Sequence, residues 1–447
     1  MKKIFALSLF LFISVFEIQA QETIDLNEAI KDAIKNNTNV SNLEKSLEIQ
    51  QLSTSSARGD LFPDLNLTAG WTRNNTFSEG TVRFVNGVPT IIPKQNSWIN
   101  NFNVGVNTSV VLFNGFANYT QVKLSQANEM AVRIDLEKEK YDIAFRINSA
   151  YFDVLKKEKI VVANEENLAD SKRTLESIKE FMNVGKRTIA DVYRQDVQVA
   201  QNELALERSK NDLDKSKIDL LLAINTDLNK QYAVSDNTIK TDLTEADLKA
   251  VLDKNANTEM LVNTALQRRY DYQSSLQIVR INEVQLSIDK KNLYFPTLSA
   301  TSNYNLNASR INGLQDSRSF TFGFLLSYPI FQGFSLDNKR QTSEIVIKQR
   351  QEDVKQLEQQ IRSDIKKSYL DIETQYKQIE ILNRNIVSAE QDRLLSEENY
   401  RVGLGTILEV QTAATKLNSL KIDLINAYYD FLLAEKRINY YSGELSY

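Results

Sequence analysis

The chain has 447 residues, with 54 Lys and Arg against 58 Asp and Glu, and a formal net charge of −4. It has no Cys and no His, which excludes thiol nucleophiles, disulfides, zinc sites built on those residues and a Ser-His-Asp triad. The near-neutral balance leaves no electrostatic footprint for nucleic acid, and only 5 Pro and 13 Gly suit long helices better than a loop-rich domain.

Lys2 and Lys3 precede an apolar run over 4–16, and Ile18-Gln19-Ala20 ends on a small residue. Residues 1–20 read as a secretory signal peptide. The apolar core is too short to span a membrane, which takes about 20 residues. No Cys follows the cleavage position, so no lipid anchor is expected. The mature chain has no other apolar run long enough for a spanning helix, so entry into a membrane is expected through strands.

A first repeat is expected over 21–230. It opens with a helix over 26–58 and continues after Phe62-Pro63 as a strand hairpin over 64–113. There Leu65, Leu67, Ala69 and Trp71 alternate with Asn66, Thr68, Gly70 and Thr72, and Phe102, Val104 and Val106 alternate with Asn103, Gly105 and Asn107. Period-two alternation marks strands with one apolar and one polar face. Between them, Asn86-Gly87 flanked by apolar alternation signals a tight hairpin turn.

From Phe116 to Lys230 the one glycine is Gly185. Ile147, Val154, Val161, Leu168, Leu175 and Met182 recur every seven residues, and so do Val192, Val199, Leu206, Leu213 and Leu220. A helical hairpin over 116–230 with a supercoiled seam follows. Its tip lies at Gly185, where Thr188 and Asp191 form a Thr-x-x-Asp that caps the return helix. A linker over 231–258 carries no motif.

The second repeat, 259–447, has a helix over 259–292, strands over 297–331 and a helical hairpin over 334–441. Adding 218 carries Ile147 to Ile365, Tyr151 to Tyr369, Phe116 to Phe334 and Val184-Gly185 to Val402-Gly403. One offset held over more than a hundred residues is the mark of duplication. Phe62-Pro63 matches Phe295-Pro296 at an offset of 233, so the first copy carries extra residues between its strands. The second tip has Gly403 and Gly405, with Thr406 and Glu409 as its capping pair. The rising seam here fades to Arg393 and Tyr400, which predicts a looser, more mobile second hairpin.

The strands fit an antiparallel sheet on a soluble core or a membrane barrel. Four strands cannot close a barrel, since bacterial barrels start at about 8. Two chains would supply 8 strands and three would supply 12. The order signal, helix, Phe-Pro, strand hairpin and helical hairpin, repeated, resembles the TolC-like outer-membrane efflux proteins. The most specific parts are the tips Val184-Gly185-Lys186-Arg187-Thr188-Ile189-Ala190-Asp191-Val192 and Val402-Gly403-Leu404-Gly405-Thr406-Ile407-Leu408-Glu409-Val410.

The resemblance implies an α+β membrane protein of two tandem repeats. It implies a homotrimer with a 12-stranded β-barrel in the outer membrane of a Gram-negative bacterium, continued by a periplasmic α-helical barrel. The linker would lie at mid-tunnel. From its own hairpin signal, the Asn86-Gly87 loop is expected to fold back near the barrel mouth and be reachable from the cell exterior, the alternative being a disordered flap. The implied partners are outer-membrane lipid, a periplasmic adaptor (membrane fusion protein) and an inner-membrane pump, with drugs, small molecules or proteins as cargo. Adaptor docking and the gate are expected at Gly185, Arg187, Thr188, Asp191, Tyr400, Gly403, Gly405, Thr406 and Glu409. Some relatives carry a second acid three residues beyond the position of Glu409; here it is Thr412, so a double acidic ring is not expected. No catalytic residue, metal or cofactor is expected, and the runner-up function is a secreted coiled-coil assembly without transport activity.

Overall fold

The computed structural model describes residues 22–229, 232–234, 244–314 and 317–446. The expected signal peptide lies outside the described residues. The first half contains β1 (Glu22–Ile24), α1 (Leu26–Asn36), α2 (Thr38–Gly59), β2 (Asp64–Ser78), β3 (Thr81–Val85), β4 (Val88–Ile92), β5 (Gln95–Phe113), α3 (Ala117–Asn183) and α4 (Ile189–Ile224). The second contains β6 (Tyr232–Val234), α5 (Glu245–Asn255), α6 (Thr258–Arg268), α7 (Tyr270–Tyr294), β7 (Thr297–Ala308), β8 (Arg318–Ser327), α8 (Ser335–Val402) and α9 (Ile407–Ser442). They fall into two units.

The helical unit holds the described residues of Met1–Ser41, Glu139–Arg268 and Ile361–Tyr447. Its core is the pair of seven-residue seams: Ile147, Val154, Ile365, Ile372, Phe431 and Ile438 are all fully buried. A second, polar periodicity runs beside the first seam. Asn164 and Ser171 on α3, and Gln195, Asn202, Ser209 and Ser216 on α4, are buried at the same spacing. The equivalent positions of the second hairpin are mostly apolar, with Leu382, Ala389, Ala413, Ala427 and Ala434 buried. Polar groups at seam positions fix register at a cost in stability. The linker contributes β6, which pairs in parallel with β1 (Ile24↔Val234), and α5, whose Leu248 packs against Ile372, Ile379 and Phe431.

The sheet unit holds Asn42–Lys138 and the described residues of Arg269–Gln360. Its strands form one antiparallel sheet in the order β2-β5-β7-β8. Register keeps the faces separate: Leu67, Val106, Tyr304 and Phe320 align across the four strands, and so do Asn66, Asn107, Asn303 and Thr321. β3 and β4 extend the β2–β5 hairpin in the same register. They close at Asn86 (φ 51°) and Gly87 (φ 81°), the two left-handed residues that a type I′ turn requires.

Each strand hairpin enters its helix through one motif. Gly115 and Phe116 have φ of 65° and 61°, and Gly333 and Phe334 have 60° and 65°. A phenylalanine in this region costs about 1–3 kcal/mol and persists only where its surroundings over-determine it. Both are braced by an edge-to-face ring, Phe113 on Phe116 at 5.6 Å and Phe331 on Phe334 at 5.4 Å.

Several expected boundaries are corrected. The helices over 26–58 and 259–292 are each broken by one extended residue, Asn37 (ψ 125°) and Arg269 (ψ 126°). Asn37 stops α1 because its Oδ1 accepts from the backbone N–H of Asn39 and Val40, capping α2 instead. Arg269 is pinned by a two-nitrogen contact with Asp271. α4 ends at Ile224, short of 230, because Asn225 adopts the left-handed cap. β8 ends at Ser327, before 331.

Candidate functional site

The two tips are built alike. The N–H of Lys186 reaches Phe181 O (2.8 Å) and that of Gly185 reaches Met182 O (2.9 Å). At the second tip Leu404 reaches Asn399 O (2.8 Å) and Gly403 reaches Tyr400 O (3.1 Å). Both are Schellman closures, which need a left-handed residue, here Gly185 (φ 77°) and Gly403 (φ 88°). Each return helix then starts on a reciprocal capping box. Thr188 Oγ1 accepts from Asp191 N and Asp191 Oδ2 from Thr188 N, both at 3.3 Å. Thr406 Oγ1 accepts from Glu409 N (3.3 Å), and Glu409 Oε2 accepts from Thr406 N (3.1 Å). Thr244 and Asp247 repeat the motif at the start of α5. Thr188→Ala and Thr406→Ala are each expected to cost about 0.5–2 kcal/mol, read as a lowered denaturation midpoint, with Thr188→Ser close to wild type.

Between the hairpins lies a shared core. Leu175, Ile178, Val192 and Val199 of the first pack with Tyr400, Ile407 and Val410 of the second. Tyr400 is only 7% exposed, which corrects the expectation of a fading second seam. Its ring is covered by the Arg187 guanidinium at 4.0 Å. Its hydroxyl is buried without a hydrogen-bond partner among the described residues. Burial raises the Tyr400 pKa, the Asp191 charge adds to that, and Arg187 opposes it.

Arg393, the other departure from the apolar seam, donates to Asp170 Oδ2 of the first hairpin at 3.0 Å. Arg173 also pairs with Asp170. Burial pushes the Asp170 pKa up, but the hydrogen bonds from Arg393 and Arg173 outweigh it and hold the carboxyl below its ordinary value. Gln195 donates to Ser171 O and accepts from Gln411, each at 3.0 Å. A cleft of about 340 Å³ opens beside these groups, lined by Asp170, Arg173, Phe181, Arg393, Tyr400 and Val410.

The structure therefore brings Arg187, Asp191 and Tyr400 together. Gly185, Thr188, Gly403, Gly405 and Thr406 serve the turns, and exposed Glu409 is engaged in its cap. Sequence reasoning missed Asp170, Gln195 and Gln411. It also missed the apolar residues exposed around the tips, Val184 (67%), Leu404 (83%) and Leu408 (64%). Among the described residues no cluster of ligating side chains could hold a metal, and no helix is long and apolar enough to cross a membrane.

A family model described as outer membrane efflux protein matches residues 29–226 and 261–444. The chain belongs to that family. It is 23% identical over 414 residues to the outer membrane protein TolC of Vibrio cholerae, covering 88% of this chain and 85% of the relative. It is 20% identical to the outer membrane efflux protein BepC of Brucella suis, covering 100% and 91%. The solved structure of the outer membrane protein VceC from Vibrio cholerae superposes with a TM-score of 0.76 at 18% identity, covering 94% of this chain and 96% of that one. The chain is thus an outer membrane efflux protein that shares the fold of VceC.

Proposed function

We propose that the protein is a passive homotrimeric conduit, the outer-membrane member of a three-part export system. Three sheets would close a 12-stranded barrel with the Asn86-Gly87 turn outside the cell, and the helical hairpins would form a periplasmic tunnel. A periplasmic adaptor and an inner-membrane pump would deliver drugs, small molecules or proteins to it. The reading excludes enzymatic chemistry, because the channel only has to open and shut.

The observation that carries the reading is the sheet itself. Within the described residues β2 and β8 each have one edge that pairs with no strand. In lipid every unpaired backbone group costs several kcal/mol, so other copies must cover both edges. The mass of the detergent-solubilised particle, corrected for bound detergent, is expected to be three chains. A stable monomer or a ring of another number refutes it.

At the tips, the exposed Val184, Leu404 and Leu408 suit an adaptor's apolar contact, and Gly185, Gly403 and Gly405 keep the turns tight enough to present them. Asp191 and Glu409 would line the constriction alongside Arg187, with Tyr400 packed in the core behind them. Glu409→Ala is then expected to lower cation selectivity in planar bilayers, with Thr188→Ala as a control that weakens a cap without removing charge. Unchanged reversal potentials would remove Glu409 from the constriction.

A further inference from the structure

The duplication inside the chain specifies how one copy joins the next, residue by residue. Moving β2 by 233 positions and β5 by 218 turns the pair Asp64↔Ser109 into Thr297↔Ser327, and Leu65↔Thr108 into Leu298↔Leu326. Both resulting pairs are present in the β7–β8 hairpin. The repeat operation therefore reproduces one hairpin from the other without slippage.

The same operation can be applied to the junction between the repeats, where β5 pairs with β7. Asn103↔Asn307, Val104↔Leu306 and Gly105↔Asn305 become Thr321↔Asn74, Phe322↔Arg73 and Gly323↔Thr72. These pair β8 with β2. The two strands stand at opposite edges of the sheet, so the β2 must come from a second copy. Apart from Arg73 opposite Phe322 and Leu325 opposite Gly70, the faces agree: Phe324 falls opposite Trp71 and Leu326 opposite Ala69, while Thr321, Gly323 and Ser327 fall opposite Asn74, Thr72 and Thr68. A slip of one residue would set the apolar face of one copy against the polar face of the next.

Two glycines show the same vacancy on the β8 side. A Cβ on Gly105 would collide with the Asn305 side chain, whereas one on Gly323 would meet nothing within 4 Å. A Cβ on Gly115 would stand 2.6 Å from the Phe295 ring, whereas one on Gly333 would also meet nothing. Phe295 lies edge-to-face on Phe113 at 6.1 Å. Its counterpart in the first repeat, Phe62, is 71% exposed, as is Phe331, the counterpart of Phe113. Lys291, which donates to Phe116 O at 3.4 Å, has Arg58 as its counterpart, also a cation.

We infer that Phe62 of one copy seats on Gly333 and Phe331 of the next, as Phe295 seats on Gly115 and Phe113 within the chain. Arg58 reaches the carbonyl of Phe334, and β2 pairs with β8 in the register Asn74↔Thr321. The inference rests on the homo-oligomeric reading above and adds the contact that sets its register. The first and second repeats then alternate around the ring with equivalent joints.

The absence of native Cys makes the test direct. Asn74→Cys with Thr321→Cys, oxidised in outer-membrane preparations, is expected to give covalent dimers and trimers on denaturing gels. Thr76→Cys with Thr321→Cys, one pleat out of register, is expected to give none. Phe62→Ala should lower the temperature at which the particle dissociates, and Phe62→Tyr should restore it. A trimeric particle that links only through the shifted pair, or through neither, overturns the register and leaves the channel reading standing. A monomeric particle overturns both.

Discussion

Phe431→Ala is expected to destabilise the helical unit by about 3–5 kcal/mol, the usual range for deleting a fully buried aromatic ring. Phe431 is 0% exposed and sits where α5, α8 and α9 meet, against Leu248, Ile372, Ile379, Ala427 and Ile438. The neighbours come from three helices, so the cavity cannot close by moving one side chain. Leu394→Ala, on the same helix as Ile379 but 53% exposed, should stay within about 0.5 kcal/mol of wild type. Denaturant titration followed by helical circular dichroism separates the two. Equal midpoints for the variants would mean that the seam is not the core.

The reason this core was legible in the sequence is that it repeats. Ile365, Ile372, Ile379, Phe431 and Ile438 stand at the spacing that keeps one helix stripe against its partner, and each is buried. The glycines and Thr-x-x-acid pairs of the tips were legible for a similar reason, since each cap is made by residues within five positions. The breaks at Asn37 and Arg269 were not. Neither is proline or glycine, and the helix is interrupted by side-chain bonds to the next turn. The β1–β6 pairing was also hidden, because two three-residue strands more than 200 positions apart leave no periodicity.

The polar layer was missed for a different cause. Asn164 and Ser171, with Gln195, Asn202, Ser209 and Ser216, repeat as regularly as the apolar seam, but a polar heptad position reads as solvent when it is scored by hydropathy. The opposite error befell Arg393 and Tyr400. They looked like a weakened seam because their partners, Asp170 and Arg187, belong to the other hairpin. With Tyr400 buried and Arg393 paired, a looser second hairpin no longer follows from the seam. The first hairpin, with its polar layer, has the less apolar interface.

Tyr400→Ala is expected to separate the two tips and enlarge the conductance of the channel in planar bilayers. The ring is the piece of the shared core that touches both Val192-side packing and the Arg187 guanidinium, and its loss belongs with deletions costing about 3–5 kcal/mol. Tyr400→Phe should behave as wild type or better, since the hydroxyl is buried without a partner among the described residues and a buried unsatisfied polar group costs about 1–3 kcal/mol. The Asp170–Arg393 tie should respond to acid. The folded Asp170 pKa lies below its ordinary value, so its contribution is present above the unfolded carboxylate pKa of about 3.9 and is lost as pH falls through the folded value. Wild-type conductance is therefore expected to hold from neutral pH to below the ordinary carboxylate range and to rise only as pH falls through the lower folded value, and Arg393→Ala should remove that acid-induced step. An Arg393→Ala channel with the same acid step as wild type would mean that another pair ties the hairpins together. A Tyr400→Ala channel with unchanged conductance would mean that the tips are not the narrowest point of the conduit.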